Sequence, residues 1–303
     1  IDGRYTIQAK KESGKNFKII EIHKKLPRHL IKNLTLGFDP KLFTSRQLKY
    51  YFLNTTILNP ITKNLIDKIK KPKLLEIKSF FSIDKKITGE SHYSKINKIS
   101  NYLRSNKTDY LFISAPENIA WTLNIRGNDS PHSPIPNCRL IVTKEKKLFL
   151  LCNKKKTLKI IKEGKIKSKQ LIEPDKFERL INMLQGKSFI IDKKSCSIYF
   201  EKIIRSKFKI NNISDPCYDL KSIKNPHEIK NIINAHIEDG LALTKFIYWI
   251  KKKNKKKITE IEAQNKLEKF RKLNKNYLFP SFNTIAGAGS NGAIVHYRAS
   301  QKT

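Results

Sequence analysis

The chain is short of the residues that metal, redox and membrane functions need. Its four cysteines, Cys138, Cys152, Cys196 and Cys217, lie far apart and form no CxxC pair, which argues against a zinc ribbon or a dithiol redox motif. They read as free, mostly buried thiols of a reducing compartment. The histidines form no H-x-x-x-H or H-E-x-x-H pattern. No run approaches the roughly 18 apolar residues of a membrane helix, and the longest patches, such as Leu148–Leu151, are strand-sized. No secretory signal pattern opens the sequence. These absences lead us to expect a cytoplasmic protein with no membrane partner. Glycine is scarce, and so are acids: 26 Asp and Glu stand against 63 Lys and Arg, giving a formal net charge of +37.

That charge has two readings. One is nucleic-acid or acidic-partner binding. The other is compositional drift, because the chain is rich in Lys, Ile and Asn, whose codons are A/T-rich. The dense runs at Lys68 to Lys73, Lys154 to Lys169 and Lys251 to Lys257 carry no interleaved stacking aromatics, so a solvated lysine surface without a specific nucleic acid is expected. A hydrophobic fraction of 39% over 303 residues is that of a globular protein large enough for two or three domains. The chain opens on Ile1 and ends at Thr303 without a terminal helix or polar tail, and both ends read as cuts through folded structure.

No internal repeat is visible, and three segments can be separated. The first, residues 1–75, has strand-like stretches at Tyr5-Thr6-Ile7 and Phe17 to Ile20. A strand at Leu36 to Phe38 follows, ending in an Asp-Pro turn, and then a helix capped by Thr44 or Ser45. A polar linker between Lys70 and Glu90 leads to the second, residues 90–218. There a helix from Ser94 to Leu103, a buried strand at Tyr110 to Ser114, a hairpin of Arg139 to Thr143 with Lys147 to Leu151, a helix from Pro174 to Leu184 and a strand at Ser188 to Asp192 argue for an α/β layer. The third, residues 224–303, opens on a helix start in which Asn225 caps, Pro226 takes the first position and Glu228 completes a capping box. Ile229, Ile233, His236, Gly240, Leu243 and Ile247 follow at helical spacing, so His236 reads as a core residue. Thr259 to Glu262 is a second capping box.

Gly287 to Gly292 spells G-x-G-x-x-G, but a dinucleotide site needs a helix after it, and Ala293-Ile294-Val295 is strand-like. A glycine loop between two strands is the expectation. His296, ending that apolar run, is by itself a core or rim histidine. Trp121 reads as core packing in a turn whose C-cap is Gly127, and Arg4 follows the turn-forming pair Asp2-Gly3.

Together these motifs resemble one family. Ile119-Ala120-Trp121 with Leu123 to Asp129 and then Pro134 is similar to the second-domain signature of the Xaa-Pro aminopeptidases (aminopeptidase P) in their long, three-domain form. Asp2-Gly3-Arg4-Tyr5 with Gln8-Ala9 is similar to a strand of that family's first domain. Lys224-Asn225, Glu228, Ala235-His236 and Asp239-Gly240 resemble the entry helix of its catalytic domain, and Thr259-Glu260 through Asn291-Gly292-Ala293 and His296-Tyr297 the approach to its active site.

The resemblance implies an α/β fold class: two creatinase-type N-terminal domains plus the beginning of a pita-bread (α+β) catalytic domain. It implies release of the N-terminal residue from peptides with proline second, by hydroxide bridging two metal ions, usually Mn2+. It assigns His296 a catalytic and substrate-binding place and Arg4 a substrate-binding one, arginine's planar fork suiting carboxylates and main-chain carbonyls. A homodimer is a further implication. The family's metal ligands, two Asp, one His and two Glu, are expected beyond Thr303, so this polypeptide by itself is expected to hold no active-site metal and cleave no peptide.

Overall fold

The computed structural model describes residues 1–29, 33–52, 56–69, 77–253 and 258–301. The start of the polar linker and parts of the first and last lysine runs lie outside the described residues. Contacts divide the chain into two units, Ile31–Glu228 on one hand and Ile1–Leu30 with Ile229–Thr303 on the other.

In the unit Ile31–Glu228 the strands are β1 Leu34–Phe38, β2 Thr56–Pro60, β3 Phe81–Ser82, β4 Tyr110–Ile113, β5 Ile125–Arg126, β6 Arg139–Thr143, β7 Leu148–Leu151, β8 Leu171–Ile172, β9 Ser188–Ile191 and β10 Lys209–Asn212. Strands β1 and β2 pair in parallel, and the expected Asp-Pro turn follows β1, with the Asp39 carboxylate accepting the Lys41 amide. Thr44 caps the Ser45–Phe52 helix by a reciprocal pair of bonds with Gln47.

The principal sheet has the order β10-β9-β4-β6-β7-β8. Its centre is β4, parallel to β9 and antiparallel to β6, and the predicted hairpin is β6–β7. Continuously apolar β4 and β9 are buried throughout because helices cover both faces of the sheet. Alternation along β4 sends Leu111 and Ile113 to one face, where they meet Ile96, Ile99 and Leu103 of the His92–Ser105 helix and Ile119 and Leu123 of the Pro116–Leu123 helix. Tyr110 and Phe112 go to the other face, against Phe177 and Ile181 of the Phe177–Met183 helix and Ile204 of the Ile198–Arg205 helix. All four cysteines are free and buried, and desolvation pushes their thiols up, Cys152 to about 12.

Several local expectations are corrected here. The helix expected from Ser94 begins at His92, because the Ser91 hydroxyl accepts the Ser94 amide. The Pro116–Leu123 helix ends on Asn124 in the left-handed region (φ 52°), not on Gly127. Asparagine tolerates that region because its short amide bonds locally, and here the amide is also held from outside. Asn124 Oδ1 accepts from Lys95 Nζ (2.7 Å), and its Nδ2 donates to Thr88 Oγ1 (3.2 Å) and the Glu90 carbonyl (2.8 Å). Gly127 instead permits a close crossing, since a Cβ there would lie 2.6 Å from Pro136 Cα. Trp121 is half-buried against the core and lies under Lys95 Nζ, 4.4 Å from the ring centroid.

In the other unit, Tyr5-Thr6-Ile7 is helical, not a strand. The Asp2 side chain caps a turn at Gly3–Tyr5, and helix-forming Gln8, Ala9, Lys10, Lys11 and Glu12 carry the helix Thr6–Glu12 onward, Gln8 bonding Glu12 one turn away. Phe17 to Ile20 joins no strand. Both predicted capping boxes form, Asn225 with Glu228 and Thr259 with Glu262, starting the helices Pro226–Lys252 and Glu260–Arg271. The apolar stripe of the long helix is not covered among the described residues: Ile233 and Ile237 are exposed, and His236 is an exposed residue, not a core one. No strand flanks the glycine loop. Residues after Pro280 are irregular, with a 3-10 turn at Gly289–Ala293. No described helix is long and apolar enough to cross a membrane.

Lys95 is 1% exposed, and burial brings its ammonium down to about 8 although Glu90 and Glu228 oppose the shift. The unfolded chain therefore binds the proton more tightly between about pH 8 and the ordinary value, and stability attributable to this group rises with pH across that window. The difference in unfolding free energy between wild type and Lys95→Met, followed by urea titration from about pH 7.5 to 10.5, should widen in favour of wild type by up to about 3 kcal/mol. A difference independent of pH would refute it.

Candidate functional site

The first residues fold around one carboxylate. Asp2 Oδ1 accepts the Arg4 amide at 2.9 Å, and the same group takes the Arg4 guanidinium in a fork, Nε to Oδ1 at 3.0 Å and Nη2 to Oδ2 at 2.9 Å. The Arg4 side chain, then its amide, hold the Asp2 carboxyl well below the usual carboxylate range. Both partners are solvent-exposed, so the pair contributes little to stability, but it fixes the direction of the guanidinium.

His296 is placed by a different carboxylate. In the second capping box Glu262 bonds back to the Thr259 amide, which leaves Glu260, the first helical residue, free to face the glycine loop. Glu260 Oε1 accepts the Ala288 amide (2.6 Å) and Asn291 Nδ2 (3.2 Å), and Oε2 accepts the Tyr297 hydroxyl (2.5 Å). Asn291 Nδ2 also donates to the Tyr297 oxygen at 2.9 Å. The Tyr297 hydroxyl and then the Ala288 amide hold the Glu260 carboxyl below its ordinary value. The loop itself needs its glycines: a Cβ on Gly287 would lie 2.8 Å from the Asn291 carbonyl oxygen, and Gly289 has φ +54°. With Tyr297 buried and tethered, the preceding His296 is held exposed in the left-handed region at φ 58°.

These two constructions meet. The Tyr5 hydroxyl lies 3.5 Å from His296 Nδ1, with ring centroids 5.6 Å apart. Arg4, Tyr5, Gln8, Phe282, Ile294 and His296 line one cavity of about 770 Å³. The two residues singled out from the sequence, Arg4 and His296, therefore share one site although 292 positions separate them. A forked cation, an imidazole and an apolar wall can bind a peptide main chain and stabilise a carbonyl oxygen. Among the described residues no three His, Cys, Asp or Glu side chains gather as a metal site, so the groups present do not fit a two-ion centre. Sequence reasoning quoted Tyr5, Asn291, Glu260 and Tyr297 within the motifs that resemble the family but gave none of them a role. A further signal was the doubled acid Glu260-x-Glu262, only one member of which a capping box uses.

Comparison with known proteins finds relatives along the whole chain. Residues 70–228 match the creatinase/prolidase N-terminal domain family, and residues 230–303 match metallopeptidase family M24. The chain is 31% identical over its whole length to Xaa-Pro aminopeptidase 1 of Dictyostelium discoideum, covering 52% of that protein. It is 29% identical to the Xaa-Pro aminopeptidase ApepP of Drosophila melanogaster, again over its whole length and 52% of the relative. The crystal structure of the X-prolyl aminopeptidase of Caenorhabditis elegans, described as cytosolic with a di-nuclear active site, superposes with a TM-score of 0.80 at 24% identity, over 98% of this chain and 52% of that one. The chain thus spans about half the length of the curated relatives it matches. It belongs to the creatinase/prolidase N-terminal domain family, with the beginning of an M24 pita-bread domain after it, and it is similar along its whole length to Xaa-Pro aminopeptidases. Similarity along the entire chain favours the peptidase reading over a basic binding protein.

If Tyr297 holds the loop through Glu260, Tyr297→Phe should quicken amide hydrogen exchange at Ala288 and Asn291 several-fold near neutral pH. The lowered Glu260 carboxyl contributes its stabilisation above its unfolded value and loses it as pH falls through the folded one. The effect of Tyr297→Phe should therefore shrink on acidification.

Proposed function

We propose that this chain is the substrate-facing N-terminal and central part of a metal-dependent aminopeptidase that releases the first residue from peptides with proline in second position. The observation that carries the reading is the shared cavity of Arg4 and His296 in a chain similar from end to end to Xaa-Pro aminopeptidases. In it the edge of the Arg4 guanidinium that Asp2 does not engage donates to a main-chain carbonyl or carboxylate of the peptide, while the Asp2 fork holds the group in place. His296 donates a hydrogen bond to the substrate oxygen on which negative charge grows. Divalent metal chemistry, with manganese as the family's usual ion, would come from ligands outside the described residues.

The domain division at residues 1–75, 90–218 and 224–303, a cytoplasmic location and a homodimer belong to the same proposal. The location is supported by the cytosolic description of the worm relative. The test is kinetic. In the full-length metal-loaded enzyme His296→Ala should lower kcat for an Xaa-Pro peptide by on the order of a hundredfold, while Arg4→Ala should act mainly by raising KM. The 303-residue chain should release no residue from the same peptide with or without added Mn2+. Wild-type turnover of an Xaa-Pro peptide in the His296→Ala enzyme would remove the assignment.

A further inference from the structure

A second cavity, of about 580 Å³, lies wholly within the unit Ile31–Glu228, away from Arg4 and His296 in sequence and unused by the proposed chemistry. Its cations come from two elements. Arg46 and Lys49 stand one turn apart on the Ser45–Phe52 helix, and Lys193 and Lys194 follow the end of β9. Neutral donors complete the lining: the Ser45 and Ser214 hydroxyls and the Asn212 amide. The walls are tied together through the backbone, since the Ile198 amide donates to the Phe43 carbonyl (2.9 Å) and the Tyr199 amide to the Pro40 carbonyl (3.0 Å).

The position in the sheet is of the kind that binds ligands. Strands β4, β9 and β10 are parallel, so Ser114, Asp192 and Asn212 end on the same side. After β4 the chain builds β6, β7 and β8 on one flank and then crosses to form β9 and β10 on the other. Open α/β sheets take ligands outside the carboxyl ends of their strands, next to such a reversal. The cavity lies outside the carboxyl ends of β9 and β10, one strand away from that reversal.

Its charge is one-sided. The single acid in the lining, Asp192, is 3% exposed and already engaged: Oδ1 accepts the Lys194 amide (2.8 Å), and Oδ2 accepts the Asp215 amide (3.1 Å) and the Ser214 hydroxyl (3.4 Å). Lys193 leans on Glu201 at 3.5 Å, whereas Arg46, Lys49 and Lys194 have no acidic partner among the described residues. Here three unpartnered cations and one shared one converge on a concave wall, where like charges repel unless an anion joins them.

We infer that this cavity is a binding site for a small phosphate-bearing anion, with Arg46 gripping two of its oxygens and Lys49, Lys193 and Lys194 supplying point charges. The probe is pyrophosphate, titrated calorimetrically into the 303-residue chain at about 0.15 M salt, where diffuse surface attraction is largely screened. Saturable binding of one anion per chain is expected. The double variant Arg46→Ala/Lys194→Ala should weaken it at least about tenfold, the loss of two charge-assisted contacts. Lys154→Ala/Lys155→Ala removes the same charge from a dense lysine run outside the cavity and should change it less than about twofold. Unaltered circular dichroism and melting of both variants would show that folding is not the cause. Absence of saturable binding, or equal weakening by the two double variants, would mean a generic lysine surface and overturn the inference. Because the measurement needs no turnover and no metal, its outcome is independent of the aminopeptidase proposal.

Discussion

One buried ammonium organises much of the larger unit. Lys95 Nζ, on the first buried turn of the His92–Ser105 helix, donates to the Trp121 carbonyl at 2.9 Å and to Asn124 Oδ1. It thereby holds the left-handed residue that ends the next helix. Asn124 passes the constraint on through Thr88 and the Glu90 carbonyl, and the Thr88 carbonyl in turn accepts Asn225 Nδ2 at 2.8 Å, the side chain that caps the Pro226–Lys252 helix. The signature around Ile119 to Asp129 is thus intelligible as geometry. Asn124 must bond on both sides, Arg126 must answer the carbonyls of Ala120 and Ile125, and Gly127 must let Pro136 approach. A lysine buried among carbonyls is costly alone, so the chain is bound to the arrangement that satisfies it.

What could be read from the sequence was what short-range chemistry decides. The capping boxes at Asn225 and Thr259 need only residues three apart, and both form. The continuous apolar runs of β4 and β9 announce strands buried on both faces, and the turn before Lys147 announces the hairpin. Failures arose where a partner decides. Tyr5-Thr6-Ile7 is β-rich in composition, but the carboxylate of Asp2 and the helix formers after it dominate where no strand lies alongside. The apolar residues before His296 satisfy a strand pattern and find no ladder. Helical periodicity in the Pro226–Lys252 helix is correct, yet periodicity identifies a face and not its cover, and His236 is exposed.

The candidate site shows the same division. Arg4 and His296 were named through family resemblance, since neither a lone exposed arginine nor a lone histidine carries a signal of its own. Their common cavity depends on Glu260, whose partners Ala288, Asn291 and Tyr297 are 28 to 37 positions away. No local pattern encodes that distance. A capping box explained Glu262 completely and Glu260 not at all, and such an unexplained acid in a chain poor in acids was the usable hint.

Scarcity of acids gives this protein a consistent economy of contacts. Asp109 binds Lys144 Nζ and also the amides of Lys187 and Ser188 at the head of β9. Asp192 holds two amides and a hydroxyl, Asp129 takes the Asn137 amide and Lys156, and Asp239 receives Arg271 in a fork. Carboxylates are thus spent on backbone amides and on fixing loops. Several buried or half-buried cations turn to carbonyls instead: Lys95 to Trp121, Arg126 to Ile125 and Arg139 to Cys138. Desolvation without a carboxylate partner lowers the Arg126 and Arg139 values from the ordinary one. Substituting surface positions by lysine therefore leaves the fold intact, because the acids that matter are already committed and the new cations require only water. It follows that net charge in this chain says little about function, whereas the places where cations line a cavity, at Arg4 and around the Asp192 loop, are where a function is to be sought.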